Sequence, residues 1–506
     1  LGEKKKMASA FLTLVTGALL LLCFYLYLKY TYWKRNGIPY SKGYYPIIGH
    51  FLPLIMKKQS YSEIIEEIYR DSNHSMVGMY KGMKPVLILR DINLIKTVLQ
   101  SNFSKFHENA VKIDPKLDPL LAKNPFFCYG ELWQTGRKRL TYAFSNARLK
   151  ILFAAVYEVC TKFRNFLDRR LESSKKYEVE LKSLFLKFTS EVVANAGLGI
   201  EGFCFEDDKV QSMFTNLDNN DFLDTFLIGI IVHFPFLTKL LRIQFLPTKH
   251  DKFFRTVVKK NLELRKSDPI PRNDFIQLMI EMEQTGEKID EEIVAAHAVS
   301  FYLDGVETSS VTLNFIGCQL AIHQDVQEKL RKEVRSTLEK HGGVLTFEAL
   351  KDMTYMNQVI SESQRYFSAL GFLGKICTDE FELQGSDGLN YRAKPGTELL
   401  IPICGLHKDP KYWDNPEIFD PERFSDENKQ RIEKMAFIPF GEGPRICVGM
   451  RMAMLQMKSC LATLMKDYKL EVSPKMQLPL KLSPTYFLSA PLGGGWIRFE
   501  TLDFAS

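Results

Sequence analysis

Cys447 is the residue around which chemistry can be built. It lies in residues 440–449, FGEGPRICVG. Gly443 and Gly449 let the backbone approach a flat ligand closely and adopt unusual dihedrals. Backbone N–H groups around the sulfur can tune its potential. Arg445 can form a charge-assisted hydrogen bond to an anionic group of such a ligand. Phe440 can cover the sulfur side and keep it dry. The setting suits a thiolate bound to haem iron, with coordination holding the sulfur deprotonated. The alternative is a buried structural cysteine in a glycine-rich turn. Nine cysteines are scattered along the chain, and none forms a CxxC pair. That pattern is neither a disulfide framework nor a zinc site, and it points to a reducing compartment.

A second group of residues could move protons. Asp304-Gly-Val-Glu307-Thr308-Ser309 lies within residues 290–322, whose periodicity predicts one long helix. Splitting the O–O bond of dioxygen takes two protons, which a hydroxyl and an acid linked to bulk water can deliver. Thr308 and Glu307 are the fitting types. Asp304 stands three and four residues before them, so all three share one side of a helix. Two carboxylates there would raise at least one pKa. Asp304 is expected either to join the relay, to hydrogen-bond a polar group in the pocket roof, or to turn aside and pair with a neighbouring element. His297, about two turns earlier, reads as a packed or pocket-lining histidine.

Three further patterns are weak alone: Trp133-x-x-x-Arg137, Glu362-x-x-Arg365 and Pro421-Glu-Arg423-Phe424. Together with the cysteine segment they resemble the cytochrome P-450 family. The signature F-x-x-G-x-R-x-C-x-G is matched at every fixed position, and the other motifs stand in the family's order. Shorter segments at 140–144, 372–373, 376–378 and 491–494 look like the microsomal branch, with the flavour of insect detoxification-type enzymes. The resemblance implies Cys447 as the iron ligand of haem b. It implies Trp133, Arg137, Lys375, Phe440, Gly443, Arg445 and Gly449 around the haem, and Thr308 and Glu307 as catalytic. It also implies that Glu362, Arg365 and Arg423 form a buried ion network. The implied reaction is monooxygenation of an apolar small molecule. Its electrons would come from NADPH through a membrane-bound flavoprotein reductase, with a cytochrome b-type second donor.

The chain departs from the family pattern at several places, a Pro-poor entry hinge among them. Asp304 replaces a small residue and Lys375 replaces an arginine. Ser368-Ala369 stands for Pro-Pro, and Glu108 for a basic residue. Haem anchoring is therefore expected to be looser. Two rival readings stand beside this one: a haem-thiolate isomerase or dehydratase, disfavoured by the intact Glu307-Thr308 pair, and a catalytically silent haem or lipophile binder, to which Asp304 lends weight.

The elements that must position these residues read as mainly helical from about Tyr61 to Leu370. Helices are expected at 147–171, 177–196, 251–267, 290–322 and 326–340, and strands at 85–89, 381–383, 397–403 and 496–499. The expected fold is mainly α with a small β region, the family's single helical prism behind an N-terminal transmembrane helix. The expected divisions are an anchor at 1–28, a Pro/Gly-punctuated hinge at 29–50 and a haem-binding catalytic domain at 51–506. The resemblance implies pocket segments at 112–127, 296–308, 370–373 and 484–488, which are rich in Phe and Leu.

Residues 8–28 carry no charge and would span about 31 Å as a helix, enough for a bilayer core. The run is too long for a cleaved signal peptide. Lys29, Lys34 and Arg35 follow it, which favours an endoplasmic reticulum anchor with the body on the cytosolic face. Met7 is expected to be the natural start. The formal charge is +7, with Lys and Arg spread along the chain. That distribution argues against nucleic-acid binding. It leaves room for a docking partner with an acidic face, for which Lys138, Arg139 and Arg451 are candidate contacts.

Overall fold

The structure is a computed structural model and describes residues 2–206, 240–267, 272–286, 289–485 and 487–502. Part of the expected helical run, at 207–239, and Tyr486 of one expected pocket segment lie outside the described residues. The architecture is mainly α with a small β region. The chain forms two compact units. One comprises Leu1–Ala110 and Phe372–Gly405; the other comprises Val111–Gly371 and Leu406–Ser506.

The second unit is organised on the helix Glu291–Ile322. Asp290 caps it by accepting from Ile293 N–H, and Glu291 and Glu292 favour its positive end. Residues 294–302 and 309–321 are buried on every side, as befits a helix at the centre of a core. Helices Leu181–Val192, Thr248–Ser267, Thr354–Tyr366 and Met450–Asp467 pack against it. Asn146–Glu172 packs in turn on Leu181–Val192 and Met450–Asp467. A three-stranded antiparallel sheet sets Trp496–Thr501 between Tyr177–Glu180 and Tyr468–Val472.

That sheet corrects the helix expected at 177–196. Tyr177–Glu180 is a strand because Trp496–Thr501 offers it a ladder. Glu180 then caps the helix by accepting from the N–H groups of Lys182 and Ser183. The helix closes in a π turn, Val193–Leu198, and a left-handed Gly199.

The first unit carries a five-stranded sheet in the order Met76–Lys81, Lys84–Leu89, Glu398–Ile401, Leu373–Ile376, Glu108–Asn109. The second and third strands are parallel and the other pairs antiparallel. Val77, Met79, Val86, Ile88 and Leu400 pack against Ile64, Ile65 and Ile68 of the helix Tyr61–Arg70, which opens with a Ser60–Glu63 capping box. Phe381–Gln384 and Asn390–Ala393 make a separate hairpin.

The N-terminal helix, Gly2–Tyr30, is long and apolar enough to cross a membrane, and its apolar window is not buried by the rest of the chain. Its end is seated in the first unit. Tyr30 stacks on Tyr44 at 4.9 Å. Trp33 is fully buried and its Nε1–H donates to Met79 O at 3.0 Å. Gly78 makes this seat possible, because a Cβ there would stand 2.4 Å from the Trp33 ring.

Candidate active site

The loop before Cys447 is folded by short-range bonds. Gly441 N–H donates to Ile438 O, Ile446 N–H to Gly443 O and Cys447 N–H to Phe440 O, each at 2.9 Å. Gly443 has φ 79, a conformation that suits glycine, and starts the one-turn helix Gly443–Arg445. Gly449 differs from expectation: its φ of −86 is ordinary. A Cβ there would meet Cys447 Sγ at 4.0 Å, a normal contact, so dihedral freedom does not explain this glycine. Phe440 packs partly buried against the main core.

Cys447 is set apart by where its sulfur looks. Seven of the nine cysteines are buried, Cys23 is exposed on the N-terminal helix, and Cys447 is accessible. Yet burial by surrounding protein pushes its thiol up to about 11, the Asp304 charge adds to the rise, and the N–H groups of Gly449 and Met450 and the Arg137 charge work against it. Asp304 is likewise accessible while burial pushes its carboxyl up to about 6. Both residues therefore line an internal space, and they are near enough for their charges to interact.

Trp133 and Arg137 lie one turn apart on the helix Gly130–Ala143 and both meet the cysteine loop. Arg137 donates to Ile446 O. The Arg445 guanidinium stands 4.6 Å over the Trp133 ring and donates to Pro125 O at 2.9 Å and Cys128 O at 2.8 Å. Two cations and one sulfur thus share a corner. Among the described residues, no group of three or more His, Cys, Asp or Glu could hold a bare metal ion. A single thiolate suits a metal that brings its remaining ligands with it, and the arginines suit the carboxylates of that carrier. The residues present fit haem.

The long helix spreads its polar side chains in different directions. Glu307 pairs with Lys182 at 2.7 Å. Asp304 Oδ2 accepts from Asn124 Nδ2 at 2.9 Å. The expected mutual repulsion of the two carboxylates is not what raises Asp304; burial is, with the Asn124 bond opposing it. Thr308 Oγ1 donates to the Asp304 carbonyl. Gln456, on the helix that follows Cys447, donates to Ser309 Oγ at 2.5 Å and Gly305 O at 3.3 Å. The ligand-bearing segment thereby braces the helix beside Thr308. Pocket segments 112–127 and 296–308 meet through Asn124 and Asp304.

The ion network is present, with Glu362 and Arg365 fully buried and Arg423 partly so. Arg365 grips Glu362 with two bonds of 2.7 and 2.8 Å, Arg423 approaches at 3.5 Å, and Asp420 N–H donates to the same carboxylate at 2.9 Å. Arg365 also donates to the carbonyls of His407 and Ile418. His407 was not foreseen. Its Nε2 accepts Ile438 N–H at 3.0 Å, so the neutral ring carries its proton on Nδ1, facing Ser368 Oγ and Gln364 O. The unusual Ser368 thus serves the histidine that ties the Glu362 helix to the start of the cysteine loop.

Two expectations need placing or correcting. Lys375 is buried in the first unit, where its Nζ donates to Asn109 Oδ1 at 2.8 Å across paired strands. Arg139 is buried, which removes it as a docking contact, whereas Lys138 and Arg451 are exposed. It lies instead beside buried His297, and burial first, then the Arg139 charge, push that imidazole down to about 4.

Comparison with known proteins bears on the whole chain. The sequence model of the family described as Cytochrome P450 matches residues 39–497. Cytochrome P450 9e2 of Blattella germanica is 33% identical over 504 residues, covering 93% of this chain and 94% of its own. Cytochrome P450 6a2 of Drosophila melanogaster is 32% identical over 501 residues, covering 95% and 97%. These matches span the helical body, the cysteine loop and the Glu362–Arg365 helix alike. The chain is a haem-thiolate monooxygenase and belongs to the cytochrome P450 family.

Proposed function

We propose that the protein inserts one oxygen atom of O2 into a lipophilic small molecule, at the endoplasmic reticulum membrane with its body facing the cytosol. Electrons come from NADPH through a flavoprotein reductase, with a cytochrome b-type protein as a second donor. The observation that carries this reading is the placement of Cys447: an accessible sulfur inside the protein, with the N–H groups of Gly449 and Met450 and the Arg137 charge favouring its thiolate. Cys447 would hold the haem iron, and haem bound there supplies the activation of dioxygen. Arg137, Arg445 and Trp133 would hold its carboxylates, Gly443 shapes the loop, Gly449 keeps the sulfur's flank open and Phe440 helps exclude water. Thr308 offers a proton at Oγ1, now given to the Asp304 carbonyl. Glu307, paired with Lys182, would relay protons to that site from outside. The membrane setting is supported by the apolar helix Gly2–Tyr30 and by Lys29, Lys34 and Arg35 beyond its apolar run.

The test is turnover in vesicles with purified reductase, NADPH, ¹⁸O₂ and a panel of lipophiles. The expected result is product carrying one labelled oxygen and strict dependence on reductase. Product lacking the label, or turnover without reductase, would overturn the reading.

A further inference from the structure

Asp304 is a carboxylate that opens on an internal space, and among the described residues no cation pairs with it. Its neighbour on the helix, Glu307, has Lys182. Asp304 has the Asn124 amide, and among the described residues it forms no ion pair. The amide is itself firmly held. Asn124 is fully buried, its Oδ1 accepts Phe126 N–H at 2.7 Å, and its own carbonyl accepts the N–H groups of Phe127 and Cys128. The same short segment is pinned from the other side by Arg445, on Pro125 O and Cys128 O. Asn124 thus fixes one carboxylate oxygen and leaves the other facing the internal space that Cys447 also faces.

An ionised carboxylate inside protein is costly unless paired, and a neutral amide pairs it only in part. A hydroxyl arriving with a substrate would add a hydrogen bond and leave the charge. A protonated amine would add the bond and cancel the charge, so it gains more from this position than a neutral molecule of the same shape. Phe301, Tyr302 and Val306 beside it on the helix are packed into the core, so the apolar body that would carry the cation follows from the oxygenase reading of the site.

We propose that Asp304, oriented by Asn124, is a specificity residue that selects lipophilic amines protonated at neutral pH as substrates. This inference rests on the oxygenase reading of the same site. It makes the departure from a small residue at 304 a feature of substrate choice, and it makes Asn124 a positioning residue.

The test uses the full-length holoenzyme in lipid discs and two probes of one shape, N-benzylpiperidine, a protonated amine, and benzylcyclohexane, its neutral counterpart. Equilibrium dialysis reads affinity without relying on turnover. The wild type is expected to bind the amine at least tenfold more tightly than the hydrocarbon. Asp304→Asn and Asp304→Ala should abolish that preference while still binding hydrocarbon and haem. Asn124→Ala should reduce it part way. A wild type without the preference overturns the proposal, and that arm needs no variant to fold. A preference surviving in a folded Asp304→Asn protein overturns it equally. The reduced carbon-monoxide spectrum and reductase-driven oxidation of a neutral lipophile are run in parallel. Their failure would tell against the oxygenase reading; their success with no amine preference tells against this inference alone.

Discussion

Single side chains decide whether this site can work. Replacing Cys447 with alanine should remove the thiolate-type spectrum of the reduced, carbon-monoxide-treated protein; an unchanged spectrum would send the search to the other eight cysteines. Thr308→Ala should leave haem and ligand binding in place and lower product formed per NADPH by about tenfold or more, the difference appearing as hydrogen peroxide. An unaltered ratio would take Thr308 out of the proton path. His297 bears on stability instead. It is buried with both ring nitrogens lacking a partner among the described residues, and its pKa is held near 4 against an ordinary 6.5. Between those values the unfolded chain binds the proton and the folded chain does not, so stability falls as pH drops from 6.5 toward 4. The linked loss between pH 7.5 and 5 is on the order of 2 kcal/mol. His297→Phe should therefore raise the thermal midpoint more at pH 5 than at pH 7.5; an equal rise at both would show that packing alone is responsible. Cys447, Glu362 and Arg365 were legible because each sits in a fixed local spacing. Asn124, Gln456 and His407 were not, since their partners lie far along the chain, as Asn124 and Asp304 do at 180 positions apart.

At the scale of elements, the Thr354–Tyr366 helix and the segment leading to Cys447 are held together by polar bonds inside the core. Arg365 spans both, gripping Glu362 on its own helix and the carbonyls of His407 and Ile418 beyond it. Lysine has one ammonium and cannot reproduce that fork. Arg365→Lys is expected to cost about 3–5 kcal/mol, because Glu362 would remain buried with its charge poorly answered. The readout is haem retained after purification, together with the unfolding midpoint. The exposed pair Arg392–Glu380 is the contrast, and Arg392→Lys should change stability by no more than about 0.5 kcal/mol. Equal effects would mean that burial does not distinguish the two pairs. Long helices were legible from their periodicity. The strands Met76–Lys81, Leu373–Ile376 and Tyr468–Val472 were not, being four to six residues long with partners supplied by remote segments. Tyr177–Glu180 was misread for the same reason: its alternation is too short to outweigh the helix that follows, and the ladder that decides it is some three hundred residues away.

The whole molecule has to be joined to a membrane without surrendering the stability of the part that leaves it. The apolar run at 8–28 was legible because it carries no charge. The way its end enters the first unit was not, because Trp33 finds its acceptor 46 positions on, at Met79. Tyr30 and Trp33 lie beyond the apolar run yet belong to the core, where Tyr80 Oη–H donates to Tyr30 O at 2.8 Å and the Trp33 ring fills the space left by Gly78. Two truncations separate anchoring from folding. Removing residues through Leu28 should weaken membrane attachment and leave a folded haem protein. Removing residues through Arg35 takes away both aromatic rings, and losing a fully buried tryptophan costs about 3–5 kcal/mol. The longer truncation should therefore unfold at lower temperature and retain less haem, and Trp33→Ala in the full chain should show the same loss while staying on membranes. If both truncations unfold alike, the seat contributes nothing and residues 29–35 act only as tether. If the shorter one already loses its haem, the apolar run itself belongs to the folded body.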